Sequence, residues 1–196
     1  YCSMRQFIYF SRNAETTGGF NFDDLMKAGR MDIAIHSFIQ AVYLSKNYRK
    51  DVIFHFVFYG PPDPPKHIEI QVTDEMEISK KDVGNLIKKI LYKYREGKKT
   101  EVFPKCFVEK KPLLKVVESL VAEGKEIFIL DKKGEDIRKA KIPDDSVFIL
   151  GDQEGIPSKE LKRLKQKSKM ISIGNKTYFA SQVVAVVNNE LDRRNI

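Results

Sequence analysis

Apolar residues recur along the chain in two patterns that indicate different secondary structures. Short runs that are dense in β-branched and aromatic residues predict strands, whereas apolar residues at steps of three and four predict helices with one buried face. The run 51–59 is apolar almost throughout, so we expect a strand that is covered on both faces. The predicted strands are 5–11, 51–59, 67–72, 126–131, 146–151 and 169–173, and the predicted helices are 29–47, 79–95, 112–123, 158–166 and 179–194.

Turn-forming residues separate these segments. Residues 60–65 contain four prolines and one glycine, which cannot continue a helix or a central strand, so a loop is predicted there. Residues 98–107 are predicted to be a short connection or a strand, and residues 132–140 a turn with a short helix. Asn21 is expected to cap a short helical turn, and Gly124 is expected to end the third helix.

The alternation of strands and helices continues nearly to the C-terminus. It favours an α/β fold in which a mostly parallel sheet is covered by helices on both faces. With 196 residues and no long linker, the chain is expected to form one domain over residues 4–196. Because Met4 looks like a natural start, residues 1–3 are expected to be a cloning remnant.

The balance of charge favours a polyanionic partner. The formal net charge is +8 and the isoelectric point is about 9.3, which suits RNA, DNA or an anionic lipid surface. A lysine-rich soluble surface explains the same balance. Charge alone therefore leaves both interpretations open.

The cysteines and histidines do not follow a metal-binding pattern. The two cysteines and three histidines are scattered and no CxxC pair occurs, so we expect neither a zinc site nor another metal site. No disulfide framework, signal peptide or apolar run of membrane-spanning length is visible in the sequence. We therefore expect a cytoplasmic protein that does not bind a membrane.

Three predicted strands end at a polar or glycine-containing turn. These turns lie at 130–131, 150–157 and 173–176. In open α/β sheets ligands bind outside the carboxyl ends of the strands, and glycine lets the backbone approach a ligand closely. Taken singly, each turn is better explained as a tight connection between buried strands. The GxGxxG and GxxxxGK[ST] motifs of nucleotide-binding folds are both absent.

Taken in order, these segments resemble the SPOUT class of methyltransferases and, within it, the archaeal TrmY family of tRNA pseudouridine N1-methyltransferases. The resemblance covers nearly the whole chain from Met4. The segments that carry it in the C-terminal part are 148–157 (FILGDQEGIP), 171–174 (ISIG), 178–182 (YFASQ) and 189–194 (NELDRR), and those in the N-terminal part are 4–7 (MRQF), 29–32 (GRMD) and 44–51.

The resemblance implies a deep trefoil knot at the C-terminus, a homodimer, S-adenosylmethionine as cofactor and methylation of N1 of pseudouridine 54 in the T-loop of tRNA. Two alternatives stay open: a SPOUT enzyme that acts on another RNA, such as a ribosomal pseudouridine, and a non-catalytic RNA-binding module of the same fold. The cofactor contacts that the resemblance implies fall on Leu130, Leu150, Gly151, Ile171, Ser172, Ile173, Gly174, Phe179 and Val183.

One position departs from the family pattern. Many relatives have a His-Cys pair after the Ala-Ser of the last helix, where this chain has Gln182 and Val183. A catalytic or redox role for a cysteine at that position is therefore excluded. A packing or main-chain role is compatible with the change.

Candidates for catalysis and RNA binding come from charged residues. Asp32 could accept the proton of the target nitrogen and Arg30 could orient the base or hold a phosphate, although a salt bridge at a helix start explains the pair equally well. Asp63 is a second candidate, for which an exposed turn aspartate is the likelier interpretation. The residues expected to bind RNA phosphates are Arg12, Arg30, Lys46, Arg49, Lys159, Lys162 and Arg163, for which solvated surface lysines and arginines are the alternative.

Overall fold

A twisted eight-stranded sheet organises the molecule. The computed structural model describes residues 3–74, 76 and 79–196, so Tyr1 and Cys2 of the expected cloning remnant lie outside the described residues. The strands are β1 (Arg5–Ser11), β2 (Val52–Phe58), β3 (Lys66–Gln71), β4 (Thr100–Phe103), β5 (Cys106–Glu109), β6 (Ile127–Asp136), β7 (Val147–Gly151) and β8 (Lys169–Ser172).

Five strands of this sheet are parallel and three are antiparallel. The order across the sheet is β4-β5-β3-β2-β1-β7-β6-β8. Strands β2, β1, β7, β6 and β8 run parallel, and β3, β5 and β4 complete one edge in antiparallel register. Because parallel strands end at the same edge, the carboxyl ends of β1, β7, β6 and β8 are brought together.

Helices cover both faces of the sheet and divide the core into two clusters. Phe7 and Phe54 belong to the cluster on one face, and Ile8 and Val57 to the cluster on the other. Each fully buried large apolar side chain contributes roughly 1.5–3 kcal/mol to folding. The predicted α/β class with a mostly parallel sheet and helices on both faces is confirmed. The helices are α1 (Met31–Val42), α2 (Val83–Tyr92), α3 (Leu113–Ala122), α4 (Ser158–Leu164) and α5 (Ala180–Arg194).

The helix predicted at 29–47 is shorter than expected. It ends at Val42, and Tyr43 is already extended, with φ −87° and ψ 138°. Tyr43 forms an isolated bridge with Tyr48, and the Leu44 amide donates to the Asn47 carbonyl at 2.8 Å. The polar residues between them favour this turn over another turn of helix. No helix of the described residues is long and apolar enough to cross a lipid bilayer.

Two further segments differ from the prediction. Residues 98–107 contribute to two antiparallel strands, β4 and β5, which are joined by a turn in which Lys105 has φ 64°. The turn and short helix predicted at 132–140 are wrong over 132–136, because β6 continues to Asp136 and pairs a second time with β8. A Cβ atom at Gly134 would lie 2.5 Å from the Ile171 nitrogen, so only glycine allows this close passage.

A chain of polar side chains crosses four strands inside the sheet. The His55 Nε2 atom lies 2.7 Å from Gln6 Oε1, and His55 Nδ1 lies 2.9 Å from His67 Nε2. His67 Nδ1 contacts Glu109 Oε2 at 2.8 Å. The expectation that the histidines are scattered is therefore wrong for this pair, which comes from neighbouring antiparallel strands.

These histidines face each other in a way that suits a hydrogen bond. With Glu69 they bring three possible metal-donor atoms within 4.8 Å of one another. However, the two ring centroids are 5.1 Å apart and the ring planes are 12° from parallel, so the two nitrogens point almost straight at each other. A proton fits between them, whereas a zinc ion needs converging ligands at roughly 2 Å. The expectation of no metal site stays a prediction.

We predict that stability falls as the pH drops below about 6.5, the ordinary histidine pKa. Burial, followed by the charges of His67, Lys99 and Lys111, holds the pKa of His55 well below that value. Below pH 6.5 the unfolded chain therefore binds a proton that the folded chain does not. The free energy of unfolding should fall by up to about 1.4 kcal/mol per pH unit. Urea unfolding between pH 7.5 and 5.5 measures this slope.

The matched variants for this slope are His55→Gln and His36→Gln. His36 is exposed on α1, so its replacement should leave the slope unchanged, whereas His55→Gln should flatten it. A flat wild-type profile, or an unchanged slope in His55→Gln, would contradict the assignment.

Candidate functional site

A cleft of about 310 Å³ lies at the carboxyl end of β7 and at the bend of β6 around residues 130–132, beside the turn that follows β8. Its walls combine apolar side chains with glycine backbone, which is the composition expected for a flat heterocyclic ligand. Six of the nine residues implied by the resemblance line it, namely Leu130, Leu150, Gly151, Ile173, Gly174 and Val183. Other lining residues are Ile129, Asp131, Lys132, Asp152, Gly155, Ile156, Leu161, Lys176, Thr177 and Tyr178.

Three implied residues do not line this cleft. Ile171 is buried in the core, where it pairs with β6. The Ser172 hydroxyl donates to the Gly174 carbonyl at 3.1 Å and accepts from the Gly174 amide at 3.0 Å, so it closes the turn. Phe179 precedes α5 and its side chain is exposed. The contribution of Ile171 and Ser172 is thus to hold Ile173 and Gly174 in place.

The turn after β7 is fixed by close backbone packing. A Cβ atom at Gly151 would lie 3.0 Å from the Gly155 Cα atom, so a larger residue would push the turn outwards. Gly155 has φ 72°, a conformation that side chains other than glycine rarely adopt. Both glycines are therefore required by the shape of the cleft floor.

Asp152 ties this turn to the end of β1. Its carboxylate accepts from the Ser11 hydroxyl at 2.9 Å, from the Arg12 amide at 3.3 Å and from the Glu154 amide at 2.9 Å. The Arg12 guanidinium also donates to the Gly155 carbonyl at 3.3 Å. This buried carboxylate is fully hydrogen-bonded, which offsets the cost of removing it from water.

Gln182 and Val183 lie in the first turn of α5, at the positions where the resemblance predicts a His-Cys pair. The Gln182 side chain accepts a hydrogen bond from the Phe179 amide at 2.9 Å and so caps the helix. The Val183 side chain forms part of the cleft wall. A capping role and a packing role therefore occupy the two positions.

Arg30 and Asp32 form a two-pronged ion pair at the start of α1. Arg30 Nε and Nη2 donate to the two Asp32 oxygens at 3.1 and 3.0 Å, and both side chains are partly exposed. Arg30 has φ 63° and ψ 46°, a left-handed conformation that costs free energy for a residue other than glycine. The expected salt bridge is thus formed. The Arg30 backbone that positions it is strained, and strained backbone is common at functional sites.

Tyr9 connects this pair electrostatically to the β7 turn. Burial raises the pKa of Tyr9, and the negative charge of Asp152 adds to the effect. Asp32 raises the same pKa further and Arg30 lowers it, which means that all three charges lie near the Tyr9 ring. The Gly29 backbone packs against Asn13 and Ala14 just beyond the end of β1, so Arg30 and Asp32 lie at the same edge of the sheet as the cleft.

Asp63 occupies a different environment. Its carboxylate contacts Lys110 Nζ at 2.5 Å and Lys66 Nζ at 2.7 Å. The hydrogen bonds to Lys110 and then Lys66 lower the pKa of Asp63 to about 2. A carboxylate with so low a pKa is a poor proton acceptor, so the geometry does not support a catalytic role for Asp63.

The basic residues separate into two groups. Lys159, Lys162 and Arg163 are exposed on α4, the helix that contributes Leu161 to the cleft wall. Lys46 lies beyond the far end of α1, which is 12 residues and thus roughly 18 Å long. Lys46 is therefore remote from Arg30, at the amino ends of the parallel strands.

Arg49 lies at the same remote end and is not free to bind RNA. Its Nη1 and Nη2 atoms donate to the two Asp192 oxygens at 2.7 and 2.8 Å, and its side chain is only 12% exposed. This ion pair anchors the C-terminal end of α5. The geometry therefore gives Arg49 a structural role in place of the expected phosphate contact.

The sequence alone did not identify Ser11 or Tyr9 as parts of the site, nor the partners of Asp152. Asp152 stands within the quoted turn motif, but its partner Ser11 is 141 residues away in the sequence. Tyr9 belongs to an apolar strand, and the local sequence does not show which charged residues lie near it. Only the order of strands in the sheet brings these groups together.

A second cleft of about 690 Å³ shares Ile173 and Gly174 with the first. Its other walls are mainly charged or polar, with Asp136, Glu190 and Arg193 among them. It lacks the apolar walls that would enclose a flat heterocycle. The smaller cleft is therefore the better cofactor site.

Comparisons with known proteins agree with this geometry. The model of a family described as "Putative SAM-dependent RNA methyltransferase" matches residues 4–196. The tRNA (pseudouridine(54)-N(1))-methyltransferase of Methanococcoides burtonii is 32% identical over 97% of this chain and 96% of the relative. The enzyme of the same name from Methanocaldococcus jannaschii is 30% identical over 98% of both chains.

A solved structure supports the fold. Archaeoglobus fulgidus Nep1 bound to S-adenosylhomocysteine superposes with a TM-score of 0.65 at 14% identity, covering 100% of this chain and 99% of that chain. At this identity the likeness shows the fold alone. The family match over nearly the whole sequence and the 30–32% identity to full-length relatives show that the chain belongs to the S-adenosylmethionine-dependent RNA methyltransferases with the SPOUT fold.

Proposed function

We propose that this chain methylates N1 of pseudouridine 54 in the T-loop of tRNA, with residues 4–196 as one catalytic domain. The observation that carries the proposal is the apolar cleft at the edge of the sheet, with the Arg30–Asp32 pair at the same edge. Relatives of nearly equal length at 30–32% identity bear the name of this activity, which supports the choice of target.

The cleft residues fit S-adenosylmethionine in volume and chemistry. A volume of about 310 Å³ is at the lower end of the usual range for small-ligand sites, roughly 300–1,000 Å³. Leu130, Leu150 and Ile173 would hold the adenine between apolar surfaces, and the glycine turns would present main-chain groups to its edges. The cofactor supplies a methyl group that its positively charged sulfur already activates.

The chain's own contribution is to orient the target base and to take up a proton. Arg30 holds Asp32 in one orientation through both carboxylate oxygens. In this proposal Asp32 accepts the proton that leaves N1 of pseudouridine as the methyl group is transferred. Holding the two reacting atoms in line supplies much of the rate acceleration.

The RNA would approach over the basic face of α4. Lys159, Lys162 and Arg163 are exposed there, next to the cleft. Arg12 adds a positive charge at the β1 end. These residues would contact phosphates, so binding should weaken as salt concentration rises.

The proposal extends to the knot, the dimer and the cellular compartment. Ile171 of β8 pairs with both Leu130 and Glu135 of β6, which supports a path of the C-terminal chain through a bend of β6 and thus a trefoil knot. The apolar side chains that α5 exposes, together with Tyr178 and Phe179 before it, support a homodimer formed through this helix. The cytoplasm is the compartment that suits a tRNA-modifying enzyme.

A ribosomal pseudouridine is the second candidate target. The names of the sequence relatives favour tRNA over this target. A non-catalytic RNA-binding module is the third possibility, which the apolar cleft disfavours.

The test of the proposed function is methyl transfer from labelled S-adenosylmethionine to T-arm RNA. We expect label in RNA that carries pseudouridine at position 54 and none in RNA that carries uridine there, because only pseudouridine presents an N1–H. Label in ribosomal RNA alone would favour the second candidate, and no label with no cofactor binding would overturn the enzyme assignment.

Asp32→Asn should lower turnover by about 10²–10⁴-fold, the usual contribution of a general base, while cofactor affinity stays unchanged. Single-turnover methylation and calorimetry measure the two quantities. Asp63→Asn is the matched control, since that carboxylate is held by two lysines in another loop. Unchanged turnover in Asp32→Asn would return the pair to a purely structural role.

A further inference from the structure

An exposed aromatic and basic surface lies between the segment that precedes α1 and the outer side of α2. We define this aromatic-basic surface by Phe22, Met26, Lys88 and Tyr92. Phe22 is 43% exposed, Met26 is 60% exposed and Tyr92 is 63% exposed. Such exposure is too high for core packing, so the surface needs another explanation.

Tyr92 is held in place from one side. A Cβ atom at Gly18 would lie 2.4 Å from Tyr92 Cδ2 and 2.7 Å from Cε2, so the ring occupies the space that a side chain at residue 18 would need. One side of the ring therefore packs on backbone, while most of the ring faces solvent. A ring held in this way loses little freedom on binding a flat partner.

Phe22 is held by a lysine. The Lys88 ammonium lies 4.7 Å from the centroid of the Phe22 ring and 5.6 Å from that of Phe20. It also donates to the Phe20 carbonyl at 2.8 Å. Lys88 and Tyr92 are four residues apart on α2, so they lie on the same helix face. The aromatic rings and the positive charge thus form one continuous surface.

The charge around this surface suits an anionic partner. From Val83 to Arg95 the sequence contains four basic residues and no acidic residue. Acidic residues flank this stretch at Asp82, which accepts from the Ser79 hydroxyl at 2.7 Å, and at Glu96. The segment before α1 adds Asp23 and Asp24, and Asp24 pairs with Lys27 at 3.2 Å. A second copy of this chain would bring the same positive charges together, which disfavours it as the occupant.

The aromatic-basic surface is joined by backbone to the candidate catalytic pair. The Arg30 amide donates to the Met26 carbonyl at 3.2 Å, and the Met31 amide donates to the Leu25 carbonyl at 3.0 Å. The segment that carries Phe22 and Met26 therefore folds directly against the start of α1. A molecule that contacts both would extend from this surface towards Asp32.

We propose that Tyr92 and Phe22 stack on an unpaired base of the RNA substrate, outside the target nucleotide, while Lys88 and its basic neighbours contact the adjoining phosphates. The proposal rests on RNA as the substrate of the proposed function. Proteins recognise unpaired RNA bases by stacking them on exposed aromatic rings within basic surfaces. This surface would then select RNA in which a base next to the target is already unstacked.

The test is the binding of a pseudouridine-containing T-arm hairpin to the full chain, measured by fluorescence anisotropy. Tyr92→Ala and Phe22→Ala should each raise the Kd by about tenfold, since one base–aromatic stack contributes roughly 1–3 kcal/mol. Tyr92→Phe keeps the ring and should bind like the wild type. Phe103→Ala removes an exposed ring from the outermost strand β4 and serves as the matched control.

Three further readouts separate the outcomes. Thermal unfolding and S-adenosylhomocysteine affinity should be unchanged in Tyr92→Ala, because the side chain is mostly exposed and outside the cleft. Unchanged Kd values in both alanine variants would overturn the stacking proposal, even if the wild type methylates the hairpin. A wild type that binds the hairpin through these residues without methylating it would overturn the proposed function alone. Loss of a dimer in sedimentation of Tyr92→Ala would identify a subunit interface and overturn the RNA assignment.

Discussion

The hydrogen bonds of the Asp152 carboxylate hold together the end of the sheet on which the site depends. Through Ser11 and the Arg12 amide they fix the end of β1, and through the Glu154 amide they fix the turn that follows β7. The turn after β7, which forms the floor of the cleft, is thereby joined to the end of β1. Because the group is buried, loss of either set of partners would leave it unsatisfied and would cost on the order of 1–3 kcal/mol.

Around this contact the site divides into three tasks that different elements perform. The bend of β6, the end of β7 and the turn after β8 form the apolar cleft. The start of α1 holds the charged pair that would act on the target nitrogen. Exposed basic residues lie on α4 and on α2, and the surface of α2 also carries exposed aromatic rings. Parallel strands make this division possible, since they place the ends of distant segments side by side.

Much of the fold could be predicted from local patterns. The apolar run 51–59 becomes β2 because neighbouring elements cover both of its faces, and Asn21 does cap a short helical turn. The second half of β6 could not be predicted, because Lys132, Lys133 and Asp136 look like turn residues. They form a strand since Gly134 lets the backbone of β8 come close enough to pair.

The candidate site could be predicted only where one segment carries the chemistry. The cleft residues Leu150, Gly151 and Gly174 belong to short motifs whose order along the chain is informative. The charged residues were harder to assign, because the role of a charge depends on its partner in space. Arg49 binds Asp192, 143 residues away, and Asp63 binds Lys110, 47 residues away. These partners are distant in the sequence, so local patterns could not predict either ion pair.

The methyl donor should bind in the cleft between the bend of β6, the end of β7 and the turn after β8. Mapping of backbone amide chemical shifts in the presence of S-adenosylhomocysteine tests it most directly. The largest changes should fall on residues that line only this cleft, with Leu130, Leu150 and Gly151 among them. Changes centred instead on Asp136, Glu190 and Arg193, which line the larger polar cleft, would contradict it.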